Sequence, residues 1–144
     1  NASGSRELAA DDYFTGLFET AKEEGEMVTA VKVPASSASA YVKFPNPASR
    51  YAVVGVGVSL NMNGGTCESA SVGITGAADH AYRASESESA LGGSDLGDDA
   101  LSAAASAASD GQEMLNDLAA SAEYRKHLCG VMLKRAVAVA KGRT

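Results

Sequence analysis

Aromatic residues are scarce in this chain. Tryptophan is absent, and Phe and Tyr together make up 6% of the 144 residues. Hydrophobic residues nevertheless make up 45%, a proportion typical of one globular domain. The core must therefore be built mainly from Val, Leu, Ala and Met, which favours close packing of backbones over deep aromatic pockets.

Positive charge is also scarce. There are 12 Lys and Arg residues against 18 Asp and Glu, so the formal net charge is -6. Because binding to nucleic acid or to anionic lipid depends on clustered Lys and Arg, the composition argues against both classes of partner. No run approaches the roughly 20 apolar residues that cross a bilayer. The first residues given also lack the basic segment followed by an apolar segment that is typical of a signal peptide. We therefore expect no membrane span and a cytoplasmic location.

Cysteine is limited to Cys67 and Cys129, which stand far apart with no second thiol or histidine at ligand spacing. This pattern excludes a dense disulfide framework and predicts no metal site. We expect two reduced, buried thiols.

The chain begins with Asn1-Ala2 rather than with an initiator Met. We interpret residues 1–5 as a cloning remnant with a disordered start, and residues 6–144 as one domain excised from a longer protein. An excised domain keeps its own core but lacks the other half of any site that it shares with a neighbouring domain.

Residues 6–25 predict a lead-in with a short helical turn. They mix acidic residues with Tyr13, Phe14, Leu17 and Phe18. This cluster has two interpretations: it contacts a neighbouring domain, or it covers the edge of this domain's own core.

Four segments have the composition of β-strands. They are residues 27–33, 41–44, 51–60 and 68–75. Pro34 and Pro45 close the first two, which we expect to pair as a hairpin. Asn63-Gly64-Gly65 predicts a tight turn between the last two.

The last two predicted strands alternate large and small residues. Val54, Val56 and Val58 alternate with Gly55 and Gly57, and residues 68–75 repeat the pattern. One face of the sheet is therefore bulky and the other nearly bare. We expect another backbone or an Ala-rich helix close to the bare face, so that Gly57→Val would destabilise the fold by about 1–3 kcal/mol through overpacking.

Three helices are predicted after Gly76. The first is 85–91, with Ser85 as its cap and Glu88 completing a capping box; the second is 98–109 and the third 121–141. In the third, Gly130 falls on the stripe opposite a broad apolar face. Strands followed by helices predict an α+β fold: a small antiparallel sheet of about four strands with three C-terminal helices packed on one face.

The residues alone show no catalytic constellation. Neither His80 nor His127 lies in a recognisable motif, and a grouping of Cys67 with Asp79 and His80 is the one arrangement that an unrecognised small enzyme would use. Gly55-Val56-Gly57 lacks the third glycine and the following helix of a dinucleotide-binding loop. We predict no catalytic residue and no metal ligand.

Three separated segments carry a family resemblance. Residues 26–34 (EMVTAVKVP), 41–52 (YVKFPNPASRYA) and 121–128 (SAEYRKHL) resemble, in the correct order, the C-terminal domain of the FAD-binding medium subunit of carbon monoxide dehydrogenase and of related molybdenum hydroxylases of the xanthine dehydrogenase family. Residues 13–16 and 82–84 are similar to that family as well. The resemblance covers nearly the whole chain after residue 5 and implies the same α+β fold.

The resemblance also implies a function. The complete subunit of that family passes electrons through FAD between a partner's iron–sulfur clusters and an external acceptor, while a molybdenum subunit performs the oxidation. This chain would be an accessory C-terminal domain that forms one wall of the flavin site and contacts between domains. The implied partners are the N-terminal FAD-binding domains of the same subunit, the molybdenum-cofactor subunit and the iron–sulfur subunit. The glycine-rich motifs that hold most of the flavin lie in those N-terminal domains, so we expect FAD in the full-length subunit, none bound to this fragment, and no activity from the fragment alone.

Two cofactor-binding residues follow from the resemblance. Val28 matches the apolar strand residue that packs against the isoalloxazine ring, and Lys43 matches a lysine that approaches the ring from the next strand. A cation beside a flavin stabilises its electron-rich reduced form. The alternatives are that Val28 belongs to the core and that Lys43 is a solvated strand residue.

A second hypothesis comes from another class of protein. A stand-alone interaction module would reuse the fold without a flavin role, and the acidic lead-in with its aromatic cluster would be its docking surface. Glycine-rich flavin motifs upstream in the same gene, beside genes for molybdenum and iron–sulfur subunits, would exclude the module.

Overall fold

The computed structural model describes residues 4–36 and 38–142. Its elements in chain order are α1 (Ala10–Tyr13), β1 (Phe14–Gly16), β2 (Glu19–Thr20), β3 (Ala38–Pro45), β4 (Ala52–Asn63), β5 (Thr66–Thr75), β6 (Tyr82–Arg83), α2 (Ser85–Leu91), α3 (Asp98–Ala107) and α4 (Ala122–Lys141). Strands β3, β4, β5 and β6 form one antiparallel sheet in that order. The predicted fold class, α+β with a four-stranded antiparallel sheet and C-terminal helices, is confirmed.

The hairpin of β4 and β5 is the centre of the sheet. Gly64 and Gly65 form its two-residue turn with φ angles of +57° and +89°, the left-handed region that a primed turn requires. The register places Val58 opposite Val72 and Gly57 opposite Gly73. Large residues therefore meet large ones on one face and glycine meets glycine on the other, as the alternation predicted.

One of the four predicted strands is wrong. Residues 27–33 form no strand in the structure, and the hairpin predicted between them and residues 41–44 is absent from the described part of the chain. The fourth strand is instead the two-residue β6, which pairs with the end of β5. Residues 27–33 have the composition of a strand, but a strand forms only where a neighbouring edge accepts its hydrogen bonds.

Helix α4 covers the bulky face of the sheet, as predicted, and packs on β3 and β4. Its buried side chains include Leu128, Met132 and Leu133, which join the valines of β4 in one core. The prediction for Gly130 is wrong: this residue is buried, and a Cβ there would lie 2.8 Å from the carbonyl oxygen of Ala105. The glycine lets α3 approach α4 closely, a contact that the periodicity of α4 alone does not reveal.

Helices α2 and α3 begin where the sequence predicted, but the predicted capping box is wrong. The N-cap of α2 is Ala84, with no side-chain cap bond, and Ser85 is already helical. The carboxylate of Glu88 accepts instead from the backbone N–H of Val72 at 2.7 Å and from Arg83. Glu88 thereby ties α2 to β5, a tertiary contact that replaces the local one.

Arg125 joins α4 to the ends of two strands. Its guanidinium is buried and donates to the carbonyl oxygens of Val53 and Gly76, each at 2.7 Å. It also donates to both carboxylate oxygens of Asp117, at 2.7 and 2.8 Å. These bonds hold the Asp117 carboxylate in its ionised form, and the pKa of Asp117 is lowered as a result.

Residues 6–33, which we call the N-terminal arm, contribute nothing to the core. No described residue before Ala38 is buried. Tyr13 and Phe14 pack edge to face on each other, while Leu17 and Phe18 are 54% and 99% exposed at the turn between β1 and β2. The interpretation that this cluster covers the edge of the core is therefore wrong.

The remaining sequence predictions concern thiols, metals and membranes. Cys67 and Cys129 are free and buried as predicted, and burial raises the pKa of both thiols. In residues 4–36 and 38–142, no cluster of His, Cys, Asp and Glu has the arrangement of a metal site. None of the helices in those residues combines the length and the apolar character of a membrane span.

Candidate functional site

An open cleft of about 440 Å³ lies where the β3–β4 loop meets the bare face of the sheet. Residues from β3, the loop, the start of β4 and the end of β5 surround it. They are Tyr41, Lys43, Ser49, Arg50, Tyr51, Ala52 and Thr75. The cleft therefore combines two aromatic rings and two cations in a protein of net negative charge.

The loop that forms one side of the cleft is held by its own backbone. The Asn46 side-chain oxygen accepts from the N–H groups of Ala48 and Ser49 at 2.9 and 3.1 Å. Asn46 also donates from its N–H to the carbonyl of Tyr51 at 2.7 Å and accepts from the N–H of Arg50 at 3.0 Å. Arg50 has a φ of +64°, a strained value for a residue with a side chain. The loop is a fixed turn that presents Arg50 and Tyr51 to the cleft.

Lys43 is bonded to this loop. Its Nζ donates to the carbonyl oxygen of Arg50 at 2.9 Å, and the side chain is exposed. One hydrogen bond leaves the remaining ammonium protons available to a ligand. Lys43 thus holds the loop and places a positive charge beside the cleft at the same time.

The two tyrosines supply aromatic surfaces of different kinds. Tyr51 is 80% exposed, whereas the ring of Tyr41 lies along the sheet above Gly55. A Cβ at Gly55 would overlap sterically with the Tyr41 hydroxyl, so glycine is needed for the ring to lie there. Exposed rings beside cations suit a planar, electron-rich ligand.

The bare face is open around Gly57 and Gly73. A Cβ at Gly57 would meet its nearest neighbours at 3.9 and 4.0 Å, and a Cβ at Gly73 would meet nothing within 4 Å. The expected cover over this face is absent from the described part of the chain. The predicted overpacking by Gly57→Val therefore has no structural basis.

The structure does not bring the two proposed cofactor-binding residues together. Lys43 lines the cleft, but Val28 lies in the irregular part of the N-terminal arm, is 53% exposed, and is not among the lining residues. Sequence reasoning missed Tyr41, Arg50 and Tyr51. The alternation of β3 contained the signal for Tyr41, since it lies two residues before Lys43 and so on the same face.

The enzyme hypothesis based on Cys67 finds no support in the geometry. Cys67 lies at the start of β5 and His80 beyond its end, so a strand length of roughly 25–30 Å separates them. The His80 ring is hydrogen-bonded to the neighbouring carboxylate of Asp79, not to Cys67. His127 stacks on Tyr124 on the exposed side of α4.

Comparison with known proteins identifies one family. The model of the CO dehydrogenase flavoprotein C-terminal domain matches residues 39–140. The carbon monoxide dehydrogenase medium chain of Afipia carboxidovorans is 38% identical over 143 residues, which cover 97% of this chain and 50% of the relative. The glyceraldehyde dehydrogenase medium chain of Sulfolobus acidocaldarius is 32% identical over 138 residues, which cover 94% of this chain and 49% of the relative.

Solved structures agree with the sequence matches. The reconstituted CO dehydrogenase from Oligotropha carboxidovorans superposes with a TM-score of 0.91 at 39% identity, over 99% of this chain and 51% of that one. The chain thus spans about half the length of the relatives that it matches.

Proposed function

Since this chain belongs to the family of CO dehydrogenase flavoprotein C-terminal domains, we propose that it is the accessory C-terminal domain of a FAD-binding medium subunit that relays electrons in a molybdenum hydroxylase. The cleft beside Lys43 would form one wall of the flavin site. One observation carries this proposal: an open cleft combines two exposed tyrosine rings with an ammonium group anchored 2.9 Å from a loop carbonyl.

The cleft fits the ring end of a flavin better than its phosphates. Tyr41 and Tyr51 offer surfaces for stacking, and Lys43 and Arg50 offer positive charge beside them. A pyrophosphate is usually held by the N–H groups of a glycine-rich loop at a helix start. The paired glycines Gly64 and Gly65 belong to a hairpin turn instead. The phosphates would therefore be held by the other half of the subunit.

Bound FAD would supply the redox chemistry, accepting and releasing electrons. Lys43 would hold a positive charge beside the ring of a bound flavin, and such a charge would favour the reduced form. Arg50 adds a second cation, since it lines the same cleft. Because the loop is fixed by its own hydrogen bonds, these charges need little reorganisation when the ring changes charge.

Val28 stays a proposed contact. It would reach the ring only if the N-terminal arm is ordered against the rest of the subunit. The proposed partners are the FAD-binding half of the same subunit, an iron–sulfur subunit and a molybdenum subunit, and the support for them is the family itself. The cytoplasmic location expected from the sequence stays a prediction.

Replacing Lys43 with Met in the full-length medium subunit tests the proposal. The variant keeps the length of the side chain and removes its charge. We expect the flavin midpoint potential to fall by tens of millivolts, which corresponds to an interaction on the order of 1 kcal/mol for a partly screened charge. Potentiometric titration followed by flavin absorbance measures the change, and the FAD content should stay constant.

Two controls separate charge from loop structure. Lys43→Arg retains the cation and should leave the potential near that of the wild type. Lys134→Met removes the same charge from the exposed side of α4, on the far side of the sheet, and should also leave it near the wild type. An equal potential in Lys43→Met and Lys134→Met, with flavin fully loaded, would show that Lys43 does not act on the ring.

The interaction-module hypothesis predicts a different result. A module would not bind FAD in any length of the protein, whereas the proposal expects a flavin in the full-length subunit and no more than weak binding by the present chain. The FAD content of the purified full-length subunit distinguishes the two hypotheses, and calorimetry of the 144-residue chain with FAD tests the weak binding expected of that chain. A stoichiometric complex tighter than about 1 μM, or about 8 kcal/mol, would place the whole flavin site in this half.

A further inference from the structure

The N-terminal arm exposes an unusual share of apolar surface. Of the thirteen large hydrophobic side chains that the structure describes as exposed, eight lie in the arm: Leu8, Phe14, Leu17, Phe18, Met27, Val28, Val31 and Val33. Val31 and Val33 are each 80% exposed. A concentration of uncovered apolar side chains in one segment marks an interaction surface.

The second half of the arm also has an unpaired backbone. Within the described residues, positions 27–36 make no backbone–backbone hydrogen bond. Their sequence is nevertheless rich in valine and alternates along the chain, which is the pattern of a strand. An extended segment of this kind is suited to pairing with the open edge of a sheet.

Hydrogen bonds within the N-terminal arm restrict its conformation. Arg6 donates to both carboxylate oxygens of Glu26 at 2.7 Å and to the carbonyl of Ala21 at 2.6 Å, so the start of the arm is fastened to its middle. These bonds lower the pKa of Glu26 to about 2. The turn between β1 and β2 holds Phe18 in solvent at a φ of +58°, a strained conformation for an aromatic residue.

The comparisons indicate what covers this surface. The family model begins at residue 39 and leaves the arm out, but the curated medium chain matches 97% of this chain, so the arm has a counterpart there. That relative is twice as long as the matched region. A second half of the same polypeptide is present at high effective concentration, which makes it the favoured partner.

We propose that the arm docks on the other half of the medium subunit. Residues 27–33 add as a strand to an open sheet edge there, and Leu17 and Phe18 enter an apolar pocket beside that edge. This inference rests on the proposed assignment to a medium subunit, but not on the contact between Lys43 and the flavin.

Hydrogen exchange followed by mass spectrometry tests the inference without any variant. The amides of residues 27–33 should exchange at least about 100-fold more slowly in the full-length subunit than in the 144-residue chain. The amides of β4 are the internal reference, because they are bonded within this chain and should be protected in both. Equally fast exchange of residues 27–33 in both proteins would overturn the proposal.

Matched variants identify the partner. Val31→Glu should lower the melting temperature of the full-length subunit but not that of the 144-residue chain, whereas Val139→Glu on α4 should show no such difference. Protection of residues 27–33 that needs the other subunits, or that rises with the concentration of the 144-residue chain, would assign the arm to a different partner and overturn the proposal. The Lys43→Met potential is an independent readout, so either proposal can fail alone.

Discussion

The two faces of the four-stranded sheet differ in side-chain size and in burial. On one face Val56, Val58 and Val72 are at most 4% exposed beneath α4. On the other face glycine and serine occupy the same strands, and half-buried Gly57 pairs with exposed Gly73. Burial of large side chains is the main favourable term in folding, so the covered face supplies the stability.

The bare face carries the candidate site because it contributes little to the core. The paired glycines Gly57 and Gly73 have no side chains to pack, and they lie on the same face as Tyr41 and Lys43. One face of the sheet therefore supplies stability and the other supplies the candidate site. We expect substitutions of the same kind to change the free energy of unfolding more on the covered face than on the bare face.

The largest expected effect comes from emptying the covered face. Leu133 on α4 is fully buried in the core, and Leu133→Ala should destabilise the chain by about 2–5 kcal/mol through lost burial and the cavity left behind. Urea unfolding followed by circular dichroism measures the loss. Lys134→Ala, at the exposed next position, should change stability by less than about 0.5 kcal/mol, and an equal loss in both variants would contradict the assignment of the core.

Arg125→Met should have the next largest effect. It leaves the carbonyl oxygens of Val53 and Gly76 without their donor, and an unsatisfied buried acceptor costs about 1–3 kcal/mol. Because Ala52 and Thr75 are the chain neighbours of those two residues and line the cleft, the variant should also loosen the site. The free energy of unfolding measures the first consequence, and hydrogen exchange of the β4 amides measures the second. An unchanged unfolding midpoint would show that the hydrogen bonds from Arg125 to Val53 and Gly76 contribute nothing to stability.

Two glycine-to-alanine variants compare the packed contact between α3 and α4 with the bare face of the sheet. Gly130→Ala introduces a Cβ 2.8 Å from a backbone carbonyl between α3 and α4, and we expect a net loss of about 0.5–2 kcal/mol after the helix propensity gained. Gly57→Ala adds a Cβ at ordinary contact distance, so we expect a change within about 0.5 kcal/mol. Thermal melts of both proteins suffice. A larger loss for Gly57→Ala would mean that the bare face is packed in solution.

The smallest effect concerns pH. The folded pKa of Asp117 is lowered by Arg125, so its contribution is complete above the ordinary value of 3.8 and is lost as the pH falls through the lower folded pKa. Urea midpoints measured from about pH 6 to about pH 2 should therefore fall less steeply at the acid end for Asp117→Asn than for the wild type. Parallel curves for the two proteins would exclude the linkage.

Local patterns predicted much of the fold. The β4–β5 hairpin follows from a two-glycine turn between alternating residues, and α4 follows from its apolar face. In the structure Ser121 caps this helix, and its hydroxyl accepts from the Tyr124 N–H at 3.1 Å. Such features are decided by residues close in sequence, so a single sequence suffices to find them. A strand that contains Lys43 was also predicted from its composition, but its predicted partner was residues 27–33, whereas in the structure it pairs with β4.

The tertiary structure decided what depends on a partner distant in the chain. Residues 27–33 have a strand's composition, but the free energy of a strand comes from pairing with an edge, and these residues pair with no strand of the described chain. Glu88 was predicted to cap its own helix and binds Val72 instead, because a buried N–H with no partner costs more than an exposed helix end. Gly130 and Arg125 acquire their roles only where α3 and the strand ends meet α4. The cleft arises in the same way, since β3, a strained loop and the end of β5 must be folded together before Tyr41, Lys43 and Tyr51 share one space.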